Sequence, residues 1–371
     1  MVIVITGASG HMGRQVVSML ASQNVELLLV GSDPTALKRI YPHINCCHYG
    51  DLALGSNGYI ALIHLDDPSK AGAADTAEFE RLNSSIARVI KVTSIDALGR
   101  DDPLLIAASM RSAAADLSGK ALDVINVYLP KVEAPAGKAS LFRQIVSAFR
   151  PVVGVDLVCR TLLDVAAHGG PPRLIVSEGQ TGNWVFRGAK RAVDLAFALT
   201  VVLLLWWLLI LVWIGVKLQS PGPGLFTQVR VGRDGELFKC YKFRTMKLGT
   251  AEAATHEVRA TAVTSLGRLL RATKLDELPQ IINIILNQVS LVGPRPCLPI
   301  QVDLIDARRA NGSLKLKPGI TGLGQVNRID MSNPARLAGY DICYGQLQSL
   351  LLDLRIIVDT ALGRGRGDNV G

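Results

Sequence analysis

The sequence of 371 residues predicts an α/β protein: a doubly wound parallel sheet, then an apolar helix of membrane length, then a second domain. Three observations support this. Short β-branched runs alternate with helical patterns in the first half, residues 195–216 hold no charged side chain, and charge is divided unevenly. Residues 1–186 carry 16 Lys+Arg and 17 Asp+Glu, whereas residues 187–371 carry 24 and 14. The second half therefore needs an anionic partner, namely nucleic acid, a phosphorylated substrate or an anionic lipid.

The first predicted strand, residues 2–5, ends at a glycine-rich loop that opens a helix reaching residue 20. Gly7, Gly10 and Gly13 let the backbone turn tightly and approach a pyrophosphate, which then lies at the helix N-terminus. A second strand, residues 27–30, ends near Asp33. A carboxylate there can accept a hydrogen bond from a ribose 2′-hydroxyl and favours NAD over NADP. The loop therefore predicts nucleotide binding.

The alternation of strands and helices continues through the first half, at residues 50–52, 61–65, 90–94, 124–134 and 150–167. These segments resemble the extended short-chain dehydrogenase/reductase family, which acts on nucleotide sugars, over roughly residues 1–180. The resemblance implies a Rossmann domain of residues 1–183. In it, Gly7, Gly10 and Gly13 hold the pyrophosphate of NAD(P), Asp33 holds the ribose, and Asp51 lies near the adenine.

The redox chemistry of that family uses a Tyr-x-x-x-Lys pair, which this chain lacks. No tyrosine lies between Ile60 and Val127, and residues 105–117, where the pair is expected, read LIAASMRSAAADL. Ser94 alone has no pKa suited to proton transfer near neutrality, and His64 fits a histidine at a strand end. We therefore expect a non-catalytic domain that binds a dinucleotide or a nucleotide sugar.

Residues 195–216 form an uncharged run typical of one long helix (LAFALTVVLLLWWLLILVWIGV). Its length of about 33 Å is enough to cross a bilayer core. Basic residues on both sides favour keeping both ends at the cytoplasmic face. We therefore expect residues 187–218 to enter the membrane, bend and return, with a spanning helix as the open alternative. The flanking basic residues are Arg187, Lys190, Arg191, Lys217, Arg230 and Arg233.

The second half contains several rigid turns rich in proline and glycine, with Lys and Arg in or beside them and one pair of neighbouring carboxylates. Lys and Arg are the side chains that recognise phosphates. The neighbouring carboxylates of Asp276 and Glu277 repel each other unless a cation lies near them, which makes the pair a plausible Mg²⁺ site. Taken alone, this dipeptide fits a solvated helix start better. The motifs are residues 220–224 (SPGPG), 228–232 (QVRVG), 238–246 (FKCYKFRTM), 275–280 (LDELPQ), 291–296 (LVGPRP) and 317–322 (KPGITG).

These six motifs, in this order, resemble the bacterial sugar transferase family, the monotopic phosphoglycosyl transferases, over about residues 186–362. The resemblance implies a small, mainly helical domain of residues 219–371 at the cytoplasmic face of the bacterial inner membrane. It also implies the reaction. A UDP-sugar gives its sugar phosphate to undecaprenyl phosphate, UMP leaves, and the lipid-linked product starts exopolysaccharide, O-antigen or other glycoconjugate assembly.

Carried over by position, the resemblance assigns a role to each site residue. The nucleophile is Asp276, which forms a covalent phosphosugar-aspartate, while Glu277 helps hold Mg²⁺ and assists the acceptor. Arg271 and Arg295 neutralise phosphate charge. The remaining assignments are further phosphate contacts (Lys242, Arg244), support of the site (Gln325, Asn327), a C-terminal motif with a packing or catalytic role (Asp341, Tyr344) and an interfacial apolar run (residues 281–286).

Two departures from the family pattern stand out. Trp206 and Trp207 occupy the place where the family commonly breaks its membrane helix with Ser-Pro, so no proline forces a kink here. Residues 260–264 (ATAVT) lack the charged side chains often found before the Val-Thr pair. We interpret the second departure as a loop variation.

Three functions remain as hypotheses. The leading one is a membrane-associated phosphoglycosyl transferase with an appended nucleotide-binding domain. In the second, the first half still reduces or epimerises a keto-sugar; in the third, dinucleotide occupancy regulates the transferase. Nucleic-acid binding ranks low, because no aromatic stacking pattern accompanies the basic residues. The sugar and the oligomeric state, a homo-oligomer included, stay open.

The six cysteines show no CxxC spacing and no ligand-like spacing with the histidines. We therefore expect reduced thiols and neither a disulfide framework nor a zinc site. The chain starts directly with a strand pattern, so we expect no signal peptide.

Overall fold

The computed structural model describes residues 2–23, 25–51, 59–65, 88–94, 123–133, 141–169, 173–247 and 263–363. The chain divides into two compact units, residues 1–147 with 151–179, and residues 148–150 with 180–371. The segment 105–117, where a Tyr-x-x-x-Lys pair is expected, lies outside the described residues, as do residues 260–262 of the loop variation.

The first unit is built on a parallel sheet. The described strands of this unit are β1 (Val2–Thr6), β2 (Glu26–Gly31), β3 (Asn45–His48), β4 (Tyr59–Leu65), β5 (Arg88–Ser94), β6 (Asp123–Leu129), β7 (Lys131–Glu133), β8 (Val152–Gly154) and β9 (Arg173–Ile175). Strands β7 and β8 pair with each other, apart from the main sheet. Its described helices are α1 (His11–Ala21), α2 (Pro34–Ile40), α3 (Leu141–Phe149) and α4 (Val155–His168), with a 3-10 turn at Tyr49–Asp51. Seven of the described strands pair in the order β3-β2-β1-β4-β5-β6-β9. This is the Rossmann order with one added strand, which confirms the predicted doubly wound sheet.

The central strand β1 explains why this sheet forms. Ile3, Val4 and Ile5 are all fully buried, as expected for a parallel strand that is covered on both faces. Ile3 and Ile5 belong to the large core cluster, to which Leu20 of α1 and Leu162 of α4 contribute. Val4 belongs to a second cluster. The alternation of side chains along the strand therefore divides the core into two layers.

The second unit is mainly helical, as predicted. Its helices are α5 (Trp184–Leu204), α6 (Trp206–Gln219), α7 (Ser265–Thr273), α8 (Ile281–Ile285), α9 (Val302–Asn311), α10 (Leu323–Val326), α11 (Pro334–Leu347) and α12 (Leu350–Ala361). Its strands form an antiparallel hairpin of β10 (Leu225–Val231) and β11 (Leu237–Phe243), and a parallel pair of β12 (Ser290–Val292) and β13 (Gly319–Thr321). Short 3-10 segments lie at Arg233–Gly235, Leu275–Gln280 and Ser313–Lys315. All six cysteines are free thiols in the structure.

The apolar run is not the single long helix that its composition predicts. Two helices, α5 and α6, meet at Leu205 with a bend of 70°. The Trp207 indole Nε1 donates a hydrogen bond to the Leu204 carbonyl at 2.9 Å, and in a continuous helix that carbonyl accepts from residue 208. An indole N–H thus closes the end of α5 without a proline. No single described helix is long and apolar enough to cross a membrane, and the bent pair meets that test together by length and composition only.

Trp207→Phe removes the donor that occupies the Leu204 carbonyl. We expect the bend to lose a hydrogen bond that contributes about 1 kcal/mol and the two helices to sample straighter arrangements. Genetically encoded spin labels at the exposed positions Val193 and Leu218 measure this. A continuous helix would separate them by about 37 Å, and the variant distance distribution should extend toward that value. Trp206→Phe is the matched control, and a distribution that changes only in this control would contradict the role of Trp207.

Candidate active site

The carboxylate pair lies on the 3-10 segment Leu275–Gln280, between α7 and α8. Helix α7 begins at a cap in which Thr264 Oγ1 accepts from the Gly267 N–H at 3.0 Å, and it ends at Lys274, whose φ is +59°. This left-handed residue redirects the chain into the short segment. Asp276 and Glu277 are each only 9% exposed. The pair is therefore a buried one, and the reading of a solvated helix start is wrong for it.

Two of the predicted phosphate-binding cations lie beside Glu277. The Lys242 Nζ, carried by β11, donates to Glu277 Oε1 at 2.8 Å. The Arg295 Nη2, which follows β12, lies 3.9 Å from the same oxygen. The structure therefore brings residues 242, 277 and 295 together from three separate motifs.

The two carboxyl groups have opposite pKa shifts. Burial, together with the charge of Glu277, raises the pKa of Asp276 to about 6, although Lys242, Arg271 and Arg295 partly offset the rise. Burial also acts to raise the pKa of Glu277, but Lys242 and Arg295 outweigh it, so that this pKa lies below its usual range. Neighbouring acids whose environments separate their pKa values are typical of groups with different roles in one reaction.

Arg271 and Arg244 use their guanidinium groups differently. Arg271, on α7, donates from Nε to Thr245 Oγ1 at 3.0 Å, and its charge lowers the pKa of Asp276. Arg244 is buried, and its two terminal nitrogens donate to the carbonyls of Ser220 and Pro221 at 2.6 and 2.8 Å. The described contacts of Arg244 thus hold the Pro/Gly corner that follows α6.

Gln325 and Asn327 bind the backbone of their own loop. Gln325 Nε2 donates to the Ile320 carbonyl at 3.1 Å, and Asn327 Nδ2 donates to the Leu323 carbonyl at 2.7 Å. The loop packs tightly on the segment before Arg295, because a Cβ at Gly322 would lie 2.1 Å from the Gly293 carbonyl oxygen. These contacts fit a supporting role.

The C-terminal motif residues are buried in polar networks. Asp341 accepts from Arg308 Nε at 2.9 Å and lies 2.7 Å from its Nη2. Tyr344 donates to Asp353 Oδ1 at 2.7 Å. These contacts give both residues a packing role.

Asn283 is a site-supporting residue that the sequence analysis missed. It is fully buried, accepts from the Tyr241 N–H at 3.2 Å and donates to the Lys239 carbonyl at 2.7 Å. It thereby fixes β11, which carries Lys242. The available signal was a lone amide inside the apolar run 281–286, whose Ile282, Ile285 and Leu286 are exposed.

The predicted nucleotide-binding residues of the first unit follow the ends of β1, β2 and β3. Gly7 has φ +76°, and a Cβ there would lie 1.9 Å from the Leu65 carbonyl oxygen. A Cβ at Gly13 would lie 2.4 Å from the Gly7 carbonyl oxygen. Gly10 caps α1 without a side-chain hydrogen bond, and the first turn of α1 has no acidic residue. An open helix N-terminus behind a close-packed glycine loop fits a pyrophosphate.

The two acidic residues of that predicted site are exposed. The Asp33 carboxylate accepts from the Ala36 N–H at 2.9 Å and caps α2. Asp51 lies at the end of the 3-10 turn after β3. His64, in contrast, shares a hydrogen bond of 2.7 Å with Thr6 Oγ1, which agrees with a histidine at a strand end.

The carboxylate pair supplies donors of the type that Mg²⁺ prefers. Among the described residues no group of three or more His, Cys, Asp or Glu could hold a metal. Magnesium commonly takes one or two carboxylates and completes its shell with substrate phosphates and water. Asp276 and Glu277 supply such a donor set.

Comparison with known proteins identifies the family to which the second half of the chain is similar. The model of the family described as bacterial sugar transferase matches residues 185–364. The UDP-glucose:undecaprenyl-phosphate glucose-1-phosphate transferase of Caulobacter vibrioides is 36% identical over 217 residues, which are 56% of this chain and 77% of that protein. The exopolysaccharide production protein PSS of Rhizobium leguminosarum bv. phaseoli is 37% identical over 205 residues, 48% of this chain and 97% of that protein.

The chain belongs to the bacterial sugar transferase family. It is therefore a phosphoglycosyl transferase, as the motifs predict. The undecaprenyl-phosphate glucose phosphotransferase of Komagataeibacter xylinus is 29% identical over 314 residues, 77% of this chain and 56% of that protein, so the similarity reaches into the first unit. A UDP-N-acetylglucosamine 4-epimerase structure from Bacillus cereus aligns with 48% of this chain and 76% of that chain, at 12% identity and a TM-score of 0.34. The Rossmann assignment itself rests on the strand order of the first unit.

Asp276→Asn should stabilise the folded sugar transferase at pH 7.5, by roughly 1–3 kcal/mol. The folded-state pKa of Asp276 is raised from 3.8 to about 6, so protonation favours the folded state. In the wild type, the stability that the protonated Asp276 contributes is fully present below about pH 4 and is lost as the pH rises through about 6. Thermal unfolding in detergent with EDTA at pH 4 and pH 7.5 measures the difference. Asp306→Asn, at an exposed position, is the control, and a lower melting temperature for Asp276→Asn at pH 7.5 would contradict the pKa shift.

Proposed function

We propose that this chain transfers a sugar 1-phosphate from a UDP-sugar to undecaprenyl phosphate and so starts the assembly of an exopolysaccharide or related glycoconjugate. The observation that supports it most directly is the buried pair of Asp276 and Glu277 beside Lys242, Arg271 and Arg295. A nucleophile, its neighbouring acid and fixed cations for phosphate oxygens are the groups that this reaction needs. The names of the related proteins point to the same donor and acceptor.

In the first step an oxygen of the Asp276 carboxylate attacks the β-phosphorus of the UDP-sugar. A new O–P bond forms as the bond between that phosphorus and the bridging oxygen breaks, and UMP leaves with the bridging oxygen. The raised pKa of Asp276 reflects incomplete compensation of its charge, and a poorly compensated carboxylate is a better nucleophile. The surrounding cations neutralise the phosphate oxygens as charge develops.

In the second step an oxygen of undecaprenyl phosphate attacks the phosphorus of the phosphosugar-aspartate. The bond to Asp276 breaks, the carboxylate is restored and undecaprenyl diphosphate-sugar is released. Glu277, whose low pKa keeps it ionised, is placed beside Asp276 to assist the acceptor. When bound, Mg²⁺ supplies further charge neutralisation at the phosphates.

The bent helix pair supports a reaction at the membrane surface. The apolar parts of α5 and α6, residues 195–204 and 206–216, are each about 15–17 Å long, half of the ~30 Å hydrocarbon core. The Trp207 bond to the Leu204 carbonyl satisfies two polar groups that hydrocarbon could not solvate. Val212 and Val216 of α6 pack with Phe243 and Leu270, next to Lys242 and Arg271 in sequence. A re-entrant pair at the cytoplasmic face of the inner membrane would therefore bring the site to the lipid phosphate.

Asp276→Asn should abolish UMP release, by more than about a thousandfold, because the variant has no carboxylate to attack phosphorus. Glu277→Gln keeps the nucleophile but should lower turnover and weaken its dependence on Mg²⁺. UMP formation by purified protein in detergent, with a panel of UDP-sugars, Mg²⁺ and undecaprenyl phosphate, measures both. Asp306→Asn again serves as the control. UMP release by Asp276→Asn at the wild-type rate would sink the assignment of the nucleophile.

The first unit is proposed to bind a dinucleotide, NAD(P), without redox chemistry. The glycine loop and the open N-terminus of α1 support binding, and the missing Tyr-x-x-x-Lys pair argues against hydride transfer. Regulation of the transferase by dinucleotide occupancy fits this combination. The alternative, a bifunctional enzyme that retains keto-sugar chemistry, is disfavoured by the missing pair.

Gly10→Asp places a negative charge and a side chain at the N-terminus of α1, where a pyrophosphate would lie. We expect NADH binding, followed by equilibrium dialysis, to fall by at least about tenfold, with unchanged UMP release in the absence of nucleotide. Ser18→Asp adds the same charge to an exposed position of the same helix and should leave binding intact. Equal NADH binding by Gly10→Asp and wild type would contradict the site, and NADH turnover would favour the bifunctional role.

A further inference from the structure

Two side chains of α5, one helical turn apart, hold the short strand β12. Asp194 Oδ1 accepts from Ser290 Oγ at 3.0 Å and from the Leu291 N–H at 2.9 Å. Lys190 Nζ donates to the Val292 carbonyl at 3.0 Å. The spacing of four residues puts both side chains on one face of the helix. Asp194 is 2% exposed and the side chain of Lys190 is 14% exposed, so neither side chain makes a solvated surface bond.

Lys190 also joins β12 to the two last helices of the unit. Its ammonium group donates to Asp353 Oδ2 on α12 and to the Tyr344 hydroxyl on α11. An ammonium has three N–H donors, and these acceptors and the Val292 carbonyl are three in number. The side chain therefore has one preferred position, which is set jointly by α11, α12 and β12.

The segment after β12 leads directly to the phosphate site. The Gly293 N–H donates to the Thr321 carbonyl and the Gly319 N–H donates to the Pro294 carbonyl, both at 2.9 Å. A Cβ at Gly293 would lie 2.3 Å from the Lys317 carbonyl oxygen. Backbone packed this closely cannot absorb a shift of β12. Such a shift would therefore move Arg295, which directly follows Pro294.

We propose that Lys190 and Asp194 are positioning residues that set the place of Arg295 relative to the carboxylate pair. The inference rests on the proposed transferase function. Asp194 directly precedes the uncharged run that begins at Leu195, so the contact stands where α5 enters its apolar part. Lys190 and Asp194 thereby couple the position of the apolar helix pair to the position of Arg295.

Arg295 neutralises charge that develops on the transferring phosphate, so its displacement should lower kcat while the KM for the UDP-sugar changes little. Lys190→Met should reduce kcat by about ten- to a hundredfold. In an Arg295→Ala background the same change should cost less than about threefold, because the group it positions is gone. Equal losses in both backgrounds would overturn the proposal, since a general packing defect lowers activity irrespective of Arg295.

Asp194 gives an independent pair of variants. Asp194→Asn keeps an oxygen acceptor for the Leu291 N–H and should retain most of the activity, whereas Asp194→Leu should lose about as much as Lys190→Met. Arg187→Met, at an exposed position of the same helix, controls for the loss of positive charge. Equal activity of the Asn and Leu variants would contradict a positioning contact.

Hydrogen exchange of the full-length protein in detergent tests the contact without turnover. Lys190→Met and Asp194→Leu should speed exchange of residues 290–296 several-fold and leave the strands of the first unit unchanged. Unchanged exchange at residues 290–296 would overturn the proposal. Absence of UMP release by wild type would instead contradict the proposed function, and the exchange result would still decide the contact between α5 and β12.

Discussion

Burial of two adjacent carboxylates is the constraint on which the arrangement of the second unit depends. Asp276 and Glu277 repel each other and have lost most of their hydration, and a buried charge is tolerated only when it is paired. The pairing cations come from β11, α7 and the segment after β12, so three elements must be held at fixed distances. Asn283 fixes β11, Thr264 caps α7, and α5 holds β12.

The cations compensate the two carboxylate charges unequally, and this difference separates the role of Asp276 from that of Glu277. Lys242 and Arg295 contact Glu277, which therefore stays ionised, whereas Asp276 keeps a raised pKa. A fully compensated carboxylate would be a poor nucleophile, and an uncompensated pair would not stay folded. The incomplete compensation of the Asp276 charge therefore lowers the stability of the folded protein. Such a loss of stability at a reactive group is a common relation between stability and activity.

Much of the fold could be predicted because local patterns determine it. Strands at residues 2–5, 27–30, 61–65 and 90–94 lie within β1, β2, β4 and β5, since buried parallel strands leave continuous apolar runs in the sequence. A bend was expected from the membrane topology, but its position at Leu205 could not be predicted, because it depends on one indole N–H and hydropathy does not register hydrogen bonds. Lys190 was similarly taken as a membrane-flanking charge, but it contacts Val292, 102 residues away. Contacts between such distant residues leave no periodic signal.

The covalent phosphosugar-aspartate is the central claim, and intact-protein mass spectrometry tests it most directly. Wild-type protein incubated with Mg²⁺ and its UDP-sugar, in the absence of undecaprenyl phosphate, should gain the mass of one sugar phosphate. Peptide mapping should place the gain on Asp276, and added undecaprenyl phosphate should remove it. UMP release that requires the lipid, with no mass gain before its addition, would contradict a covalent intermediate and indicate direct transfer between the two substrates.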